Sequence, residues 1–235
     1  KRKNIIKHTK RIDTKLKKRK DVIKQKEKIN INIMDKLTFI ILPGFTMDHL
    51  ALKPIISKLK SIYPKAKMVK LNPPYRKISI YKNKKYRSWY DYFSNYRLKE
   101  ECIDTQQLIE SRKRIHDKVM KESKYTNLNN IYLLGYSQGA CMALDAGLTF
   151  HGKIGGIIAL KGHIPSKTFE SLSVKQDVLA AHGRSDKTIG FNVAAKSYHN
   201  LANRGYTIEF LKQNCNHGLK TGLNEQLKYI EKFIK

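Results

Sequence analysis

The chain has 235 residues, 40% of them hydrophobic, enough for one sizeable domain, and its longest apolar runs, such as Phe39 to Leu42, are too short to span a bilayer. Its 48 Lys/Arg against 19 Asp/Glu give a formal net charge of +29, a footprint shared by nucleic-acid and acidic-membrane binders. Nucleic acid is disfavoured: residues 1–30 carry +11, the other +18 is dispersed, and 38 of the 48 cations are lysines, whereas base and bidentate phosphate recognition leans on arginine.

Residues 1–33 scatter Ile and Leu among charges with no helical stripe and read as a disordered basic arm, suited to peripheral contact with an anionic membrane. No apolar stretch follows the basic N-terminus, so no secretory signal is expected. Residues 36–235 read as a single α/β domain. It starts with a strand "LTFIIL", a Pro-Gly turn, a helix over 48–63 and a short strand "AKMVKLN". The stretch "PPYRKISIYKNKKYRSWYDYF" is irregular and aromatic and reads as a long loop, of the kind that serves a site. A helix over 100–122, the strand "NIYLLGY", a helix over 137–148 and the strand "IGGIIAL" follow. The last third repeats the pattern: "DVLAAHG", a helix over 191–203, "YTIEFLK" and a helix over 223–234. Short apolar strands alternating with helices imply a mostly parallel central sheet with helices on both faces. Cys102, Cys141 and Cys215 lack metal-ligand spacing and leave one over after any pairing. Free thiols in a reducing, cytoplasmic setting are expected, with Cys141 and Cys215 as small buried fillers.

In a doubly wound sheet ligands bind beyond the carboxyl ends of the strands, where Gly135-Tyr136-Ser137-Gln138-Gly139 falls. Glycines on either side of the serine give room for a sharp strand-to-helix turn that lifts the hydroxyl out of the sheet, a nucleophile elbow. The pattern alone would arise by chance in roughly one such chain in ten; a strand before it and a helix after it make it more specific. A serine needs a base to take its proton, and the base needs an acid to fix its tautomer. Asp186 falls just past a strand end and His217 in the loop after the next strand, the order of an α/β-hydrolase triad. Alone, each reads as an ordinary loop residue; behind an elbow they read as catalytic Ser137, Asp186 and His217.

These segments resemble the phospholipase/carboxylesterase family of α/β-hydrolases, which includes the acyl-protein thioesterases. "GYSQGACMAL" and "VLAAHGRSDKTIG" are the most specific pieces; "PPYRKISI…RSWYDYF", "ALKGHIP" and "NCNHGL" follow the family's order, and the likeness runs from about residue 36 to the C-terminus. The resemblance implies a Ser137 nucleophile, a His217 base oriented by Asp186, an oxyanion hole of the Phe45 and Gln138 backbone N–H groups, and pocket walls at Ile78, Trp89 and His163. It implies no metal and no organic cofactor. S-acylated proteins are the expected substrates, with lysophospholipids or small carboxylic esters as the alternative. The family's first loop departs here to Leu42-Pro43-Gly44-Phe45-Thr46-Met47-Asp48, and a loop that requires φ > 0 at Thr46 would be strained by a β-branched residue. That departure keeps open an inactive hydrolase fold serving as a binding module. Lys161, where the family often has serine, is expected to alter the pocket rim.

Overall fold

The computed structural model describes residues 16–21, 37–94 and 102–234. Most of the expected basic arm lies outside the described residues; within it, residues 16–21 are helical and exposed, where no regular structure was expected.

Six strands form one sheet in the order β2-β1-β5-β6-β7-β8: β1 Thr38–Leu42, β2 Lys67–Lys70, β5 Ile131–Tyr136, β6 Gly156–Leu160, β7 Val178–Gly183 and β8 Ile208–Gln213. Every pairing in it is parallel, so both faces must be covered. Among the described residues of the domain the α-helices are α1 Lys53–Ile62, α2 Thr105–Glu122, α3 Gln138–Leu148, α4 Phe191–Ala202 and α5 Leu223–Phe233. Side chains alternate across each strand. Ile40, Leu42 and Leu133 therefore pack with residues of α2, α3 and α4. Phe39, Ile41 and Leu134 pack with residues of α1 and α5 on the opposite face. All eleven residues of α3 are buried. Its Asp145 is fully enclosed, held by Arg112 Nε and Nη2 at 2.9 and 2.7 Å and by Thr168 Oγ1 at 2.7 Å.

Three local expectations need correction. The helix expected from residue 100 begins at Thr105, where the Asp104 side chain caps it by accepting from the Gln107 N–H. The first helix begins at Lys53, not near residue 48, with a proline in its first turn, where a missing N–H costs nothing. The stretch expected to be an irregular loop contains an antiparallel hairpin, β3 Tyr75–Ile78 with β4 Lys84–Arg87, in a separate two-stranded sheet. A 3-10 turn at Ser79–Tyr81 and left-handed Lys82 and Asn83 close it. Asp91 ties the turn down, accepting from the Ser79 N–H at 2.8 Å and its hydroxyl at 2.6 Å.

The chain reverses its winding between β1 and β5, which lie side by side with Leu42 opposite Gly135. At such a switch point the loops leaving the two strands diverge and open a crevice. The loop of residues 43–47 and Ser137 both emerge there. Among the described residues no helix is long and apolar enough to cross a membrane.

Candidate active site

Ser137 sits between β5 and α3 with φ 56° and ψ −124°, a sparsely populated conformation for a non-glycine residue that costs about 1–3 kcal/mol. The turn is tight enough to demand its glycines. A Cβ on Gly135 would lie 2.0 Å from the Gly139 carbonyl oxygen, and one on Gly139 would lie 2.0 Å from that of Leu42. Backbone meets backbone at both points, so no side chain could move aside. The Ser137 N–H donates to the Leu160 carbonyl at 2.9 Å, and this bond to the end of β6 anchors the strained residue.

Ser137 Oγ lies 2.9 Å from His217 Nε2, and His217 Nδ1 lies 2.6 Å from Asp186 Oδ2. An ionised carboxylate can only accept, so the network places the imidazole proton on Nδ1 and leaves Nε2 to accept from the serine. Asp186 Oδ1 accepts from the Thr188 and Ile189 N–H groups at 2.9 and 3.0 Å. Burial alone would raise the Asp186 carboxyl pKa. The His217 hydrogen bond and charge, the Thr188 N–H and nearby His182 outweigh it and hold the pKa below its ordinary value. His182 is fully buried, with Nε2 2.9 Å from the Ile189 carbonyl and 3.4 Å from Asp186 Oδ2. Burial chiefly lowers the His182 pKa, favouring the neutral ring.

Beside the serine, Gly44 packs so closely that a Cβ there would lie 3.1 Å from Ser137 Cβ. The next residues carry the expected oxyanion donors. Thr46 adopts φ 64°, the left-handed conformation that a β-branched residue resists, and its N–H is tied to the Arg87 carbonyl at 2.8 Å. The Phe45 ring is packed among Tyr81, Tyr86 and Tyr92, with centroids 5.5–5.7 Å apart. Neither the Phe45 nor the Gln138 N–H donates to an acceptor among the described residues. The Gln138 side chain is buried and occupied. Its Oε1 accepts from the Trp89 N–H at 3.0 Å, and its Nε2 donates to the Ser88 hydroxyl and the Tyr90 carbonyl, both at 3.0 Å. This clamps the segment after β4 against the elbow.

The residues expected as pocket walls are enclosed. Ile78 and Trp89 are fully buried and His163 nearly so. The Trp89 indole N–H donates to the Pro43 carbonyl at 2.8 Å, bracing the loop of residues 43–47. Cys141 Sγ lies 3.4 Å from His163 Nδ1. Cys141 is buried as expected, whereas Cys215 is partly exposed and Cys102 exposed; all three thiols are free. A groove of about 360 Å³ does open beside the loop of residues 43–47, among Thr46, Met47, Ala51, Tyr75, Lys85 and Arg87.

Lys161 is not on a rim. It is fully buried at the carboxyl end of β6, and its ammonium faces the loop that carries His217. The Tyr136 hydroxyl, which the motif treats as a variable position, donates to the His217 carbonyl. The sequence offered one signal for Lys161, a lone cation closing the apolar run "IIAL", and none for the partner of Tyr136.

A model of the phospholipase/carboxylesterase family matches residues 38–235. Carboxylesterase SOBER1 of Arabidopsis thaliana is 28% identical over 207 residues, 84% of this chain and 90% of that protein. Acyl-protein thioesterase 1 homolog 1 of Dictyostelium discoideum is 30% identical over 174 residues, 69% of this chain and 75% of that protein. The crystal structure of SOBER1 superposes with a TM-score of 0.77 at 26% identity, covering 84% of this chain and 97% of that one. Zea mays acyl-protein thioesterase 2 has the same fold, with a TM-score of 0.71 at 15% identity, covering 85% and 94%.

Proposed function

Since the chain belongs to the phospholipase/carboxylesterase family of α/β-hydrolases and is a serine ester or thioester hydrolase, we propose that Ser137, His217 and Asp186 carry its reaction and that S-acylated proteins are its substrates. Ser137 Oγ attacks the acyl carbonyl while His217 Nε2 takes its proton, and Asp186 stabilises the imidazolium through Nδ1–H. The tetrahedral oxyanion accepts from the Phe45 and Gln138 N–H groups. The second stands at the α3 N-terminus, where the free N–H groups carry partial positive charge. His217 then protonates the departing thiol or alcohol. Water activated by the same imidazole attacks the acyl-enzyme, the acid is released, and Ser137 recovers its proton.

The observation that carries this reading is the unbroken relay of 2.9 and 2.6 Å from Ser137 Oγ through the imidazole to Asp186, with the serine on a strained elbow. Thioesters of acylated proteins are favoured over lysophospholipids and small esters on the strength of the thioesterase relatives. Labelling with a fluorophosphonate tests the mechanism: a reactive serine forms the adduct in the wild type and not in Ser137→Ala. Equal labelling of the two would place the reactive nucleophile outside Ser137, and no labelling of either would favour the binding-module reading.

A further inference from the structure

The segment that carries His217 is held through its backbone. The carbonyls of Asn216, His217 and Gly218 are gripped in turn by Lys161 Nζ at 2.8 Å, by the Tyr136 hydroxyl, and by Lys161 Nζ again at 2.5 Å. The same ammonium reaches the Thr221 carbonyl at 2.8 Å and its hydroxyl at 2.7 Å. Thr221 Oγ1 in turn bonds to the Gly218 carbonyl at 2.7 Å and the Asn216 carbonyl at 3.1 Å. Three backbone carbonyls and a hydroxyl thus converge on one buried nitrogen, a coordination set that would suit a small cation, here tethered to the end of β6.

We propose that Lys161 is a positioning residue for the catalytic base: its ammonium organises residues 216–221 into the turn that aims the His217 imidazole at Ser137. This rests on His217 being the base. The chemistry favours the charged form, because an ammonium brings three N–H donors to four acceptors, whereas a neutral amine would leave carbonyls unpaired in a buried site. Burial lowers the Lys161 pKa, opposed by Asp186 and Cys215, which lie close enough to favour the charge. The backbone accommodates the role: Lys161 adopts φ 58°, a left-handed conformation, with its N–H fixed to the Ala181 carbonyl at 2.7 Å. Upstream, the loop is pinned at Cys215, whose carbonyl accepts from the Ser185 N–H at 3.2 Å. The carbonyls of residues 216–218 are held by Lys161, Tyr136 and Thr221.

The test replaces Lys161 by methionine, similar in reach but uncharged and without donors, and by alanine. In folded Lys161→Met the imidazole should wander by about an ångström, lowering kcat about 100-fold with KM within about threefold, because misplacement penalises the transition state. A far-downfield proton resonance is expected from the 2.6 Å His217–Asp186 hydrogen bond in the wild type and in Ser137→Ala, and it should broaden or vanish in Lys161→Met. Ethylammonium should restore kcat of Lys161→Ala at least about tenfold, while ethanol should not. Should Lys161→Met fail to fold, Thr221→Val keeps the lysine and removes one acceptor, and it should lower kcat and shift the resonance in the same direction. A folded Lys161→Met with wild-type kcat, or with an unchanged resonance, overturns the proposal, as does a rise in KM alone, which would put Lys161 on the substrate pocket. Because the resonance is read without turnover, failure of the Ser137–His217–Asp186 assignment, seen as turnover that persists in Ser137→Ala, is distinguishable from failure of the clamp.

Discussion

Gly139→Ala probes the seam between the elbow and the loop of residues 43–47 proposed to carry an oxyanion donor. The added methyl would lie 2.0 Å from the Leu42 carbonyl oxygen and 2.4 Å from that of Pro43, whereas real Cβ atoms essentially never come within 3.0 Å of another heavy atom. Both obstacles are backbone, one at the end of the central strand β1, so the seam must open by about 1 Å. Ser137 lies on one side of it and the Phe45 N–H on the other. Opening the seam therefore draws the proposed oxyanion donor away from the proposed nucleophile. A misplacement of this size costs about 100-fold in kcat, or about 2.7 kcal/mol of transition-state stabilisation, and overpacking should lower stability by about 1–3 kcal/mol. Steady-state hydrolysis of an acyl thioester and urea unfolding read the two effects. Gly190→Ala is the matched control, because its nearest neighbour would be Val193 Cγ2 at 3.9 Å. A Gly139→Ala protein with wild-type kcat and an unshifted urea midpoint would refute the reasoning.

Asp186→Asn puts an amide donor against His217 Nδ1 and so reverses the tautomer; kcat should fall about 10⁴-fold with the protein still folded, and a fall below tenfold would remove Asp186 from the relay. The folded-state pKa of Asp186 is depressed below its ordinary 3.8. The stability it contributes is therefore complete above that unfolded value and lost as pH falls through the folded one. Urea unfolding between about pH 6 and pH 2 should show the wild type losing more stability than Asp186→Asn, and parallel losses would contradict the shift. Thr46→Gly relieves the left-handed strain, and should raise stability by up to about 1 kcal/mol with kcat within about threefold; a loss of stability would mean the threonine side chain contributes more than its conformation costs. If the basic arm carries membrane affinity, sedimentation with anionic vesicles at low salt should pull down the full chain more than a version starting at Met34, and high salt should erase the difference; equal binding would remove the arm's role.

The order of strands and helices was legible because each central strand is an unbroken apolar run buried on both faces, as in "IYLLGY" and "VLAAHG". The convergence of Ser137, Asp186 and His217 was legible for a related reason: each follows a strand, Ser137 and Asp186 the buried β5 and β7 and His217 the more polar edge strand β8, and a parallel sheet delivers every strand's carboxyl end to the same edge. The hairpin at Tyr75–Arg87 was not. Its strands carry lysine and arginine, pair only with each other, and bury a single side chain, Ile78, so no apolar alternation marks them. The late start of α1 was hidden because Leu50 and Leu52 extend the apolar spacing ahead of the proline that sets the first turn. Lys161 was misread as a rim residue because its surroundings come from carbonyls of residues 216–221, and a carbonyl's direction leaves no trace in residue type. Thr46 lies between these cases, since the departure was visible in the sequence while its φ of 64° required the fold.

The central claim is that Ser137 turns over acyl substrates. Its most direct test compares wild type with Ser137→Ala on matched thioesters and oxygen esters from acetyl to palmitoyl. Wild-type turnover that is lost in the mutant, with long-chain thioesters preferred, is the predicted result. Turnover that survives in Ser137→Ala, or its absence from both proteins on every substrate, would contradict it.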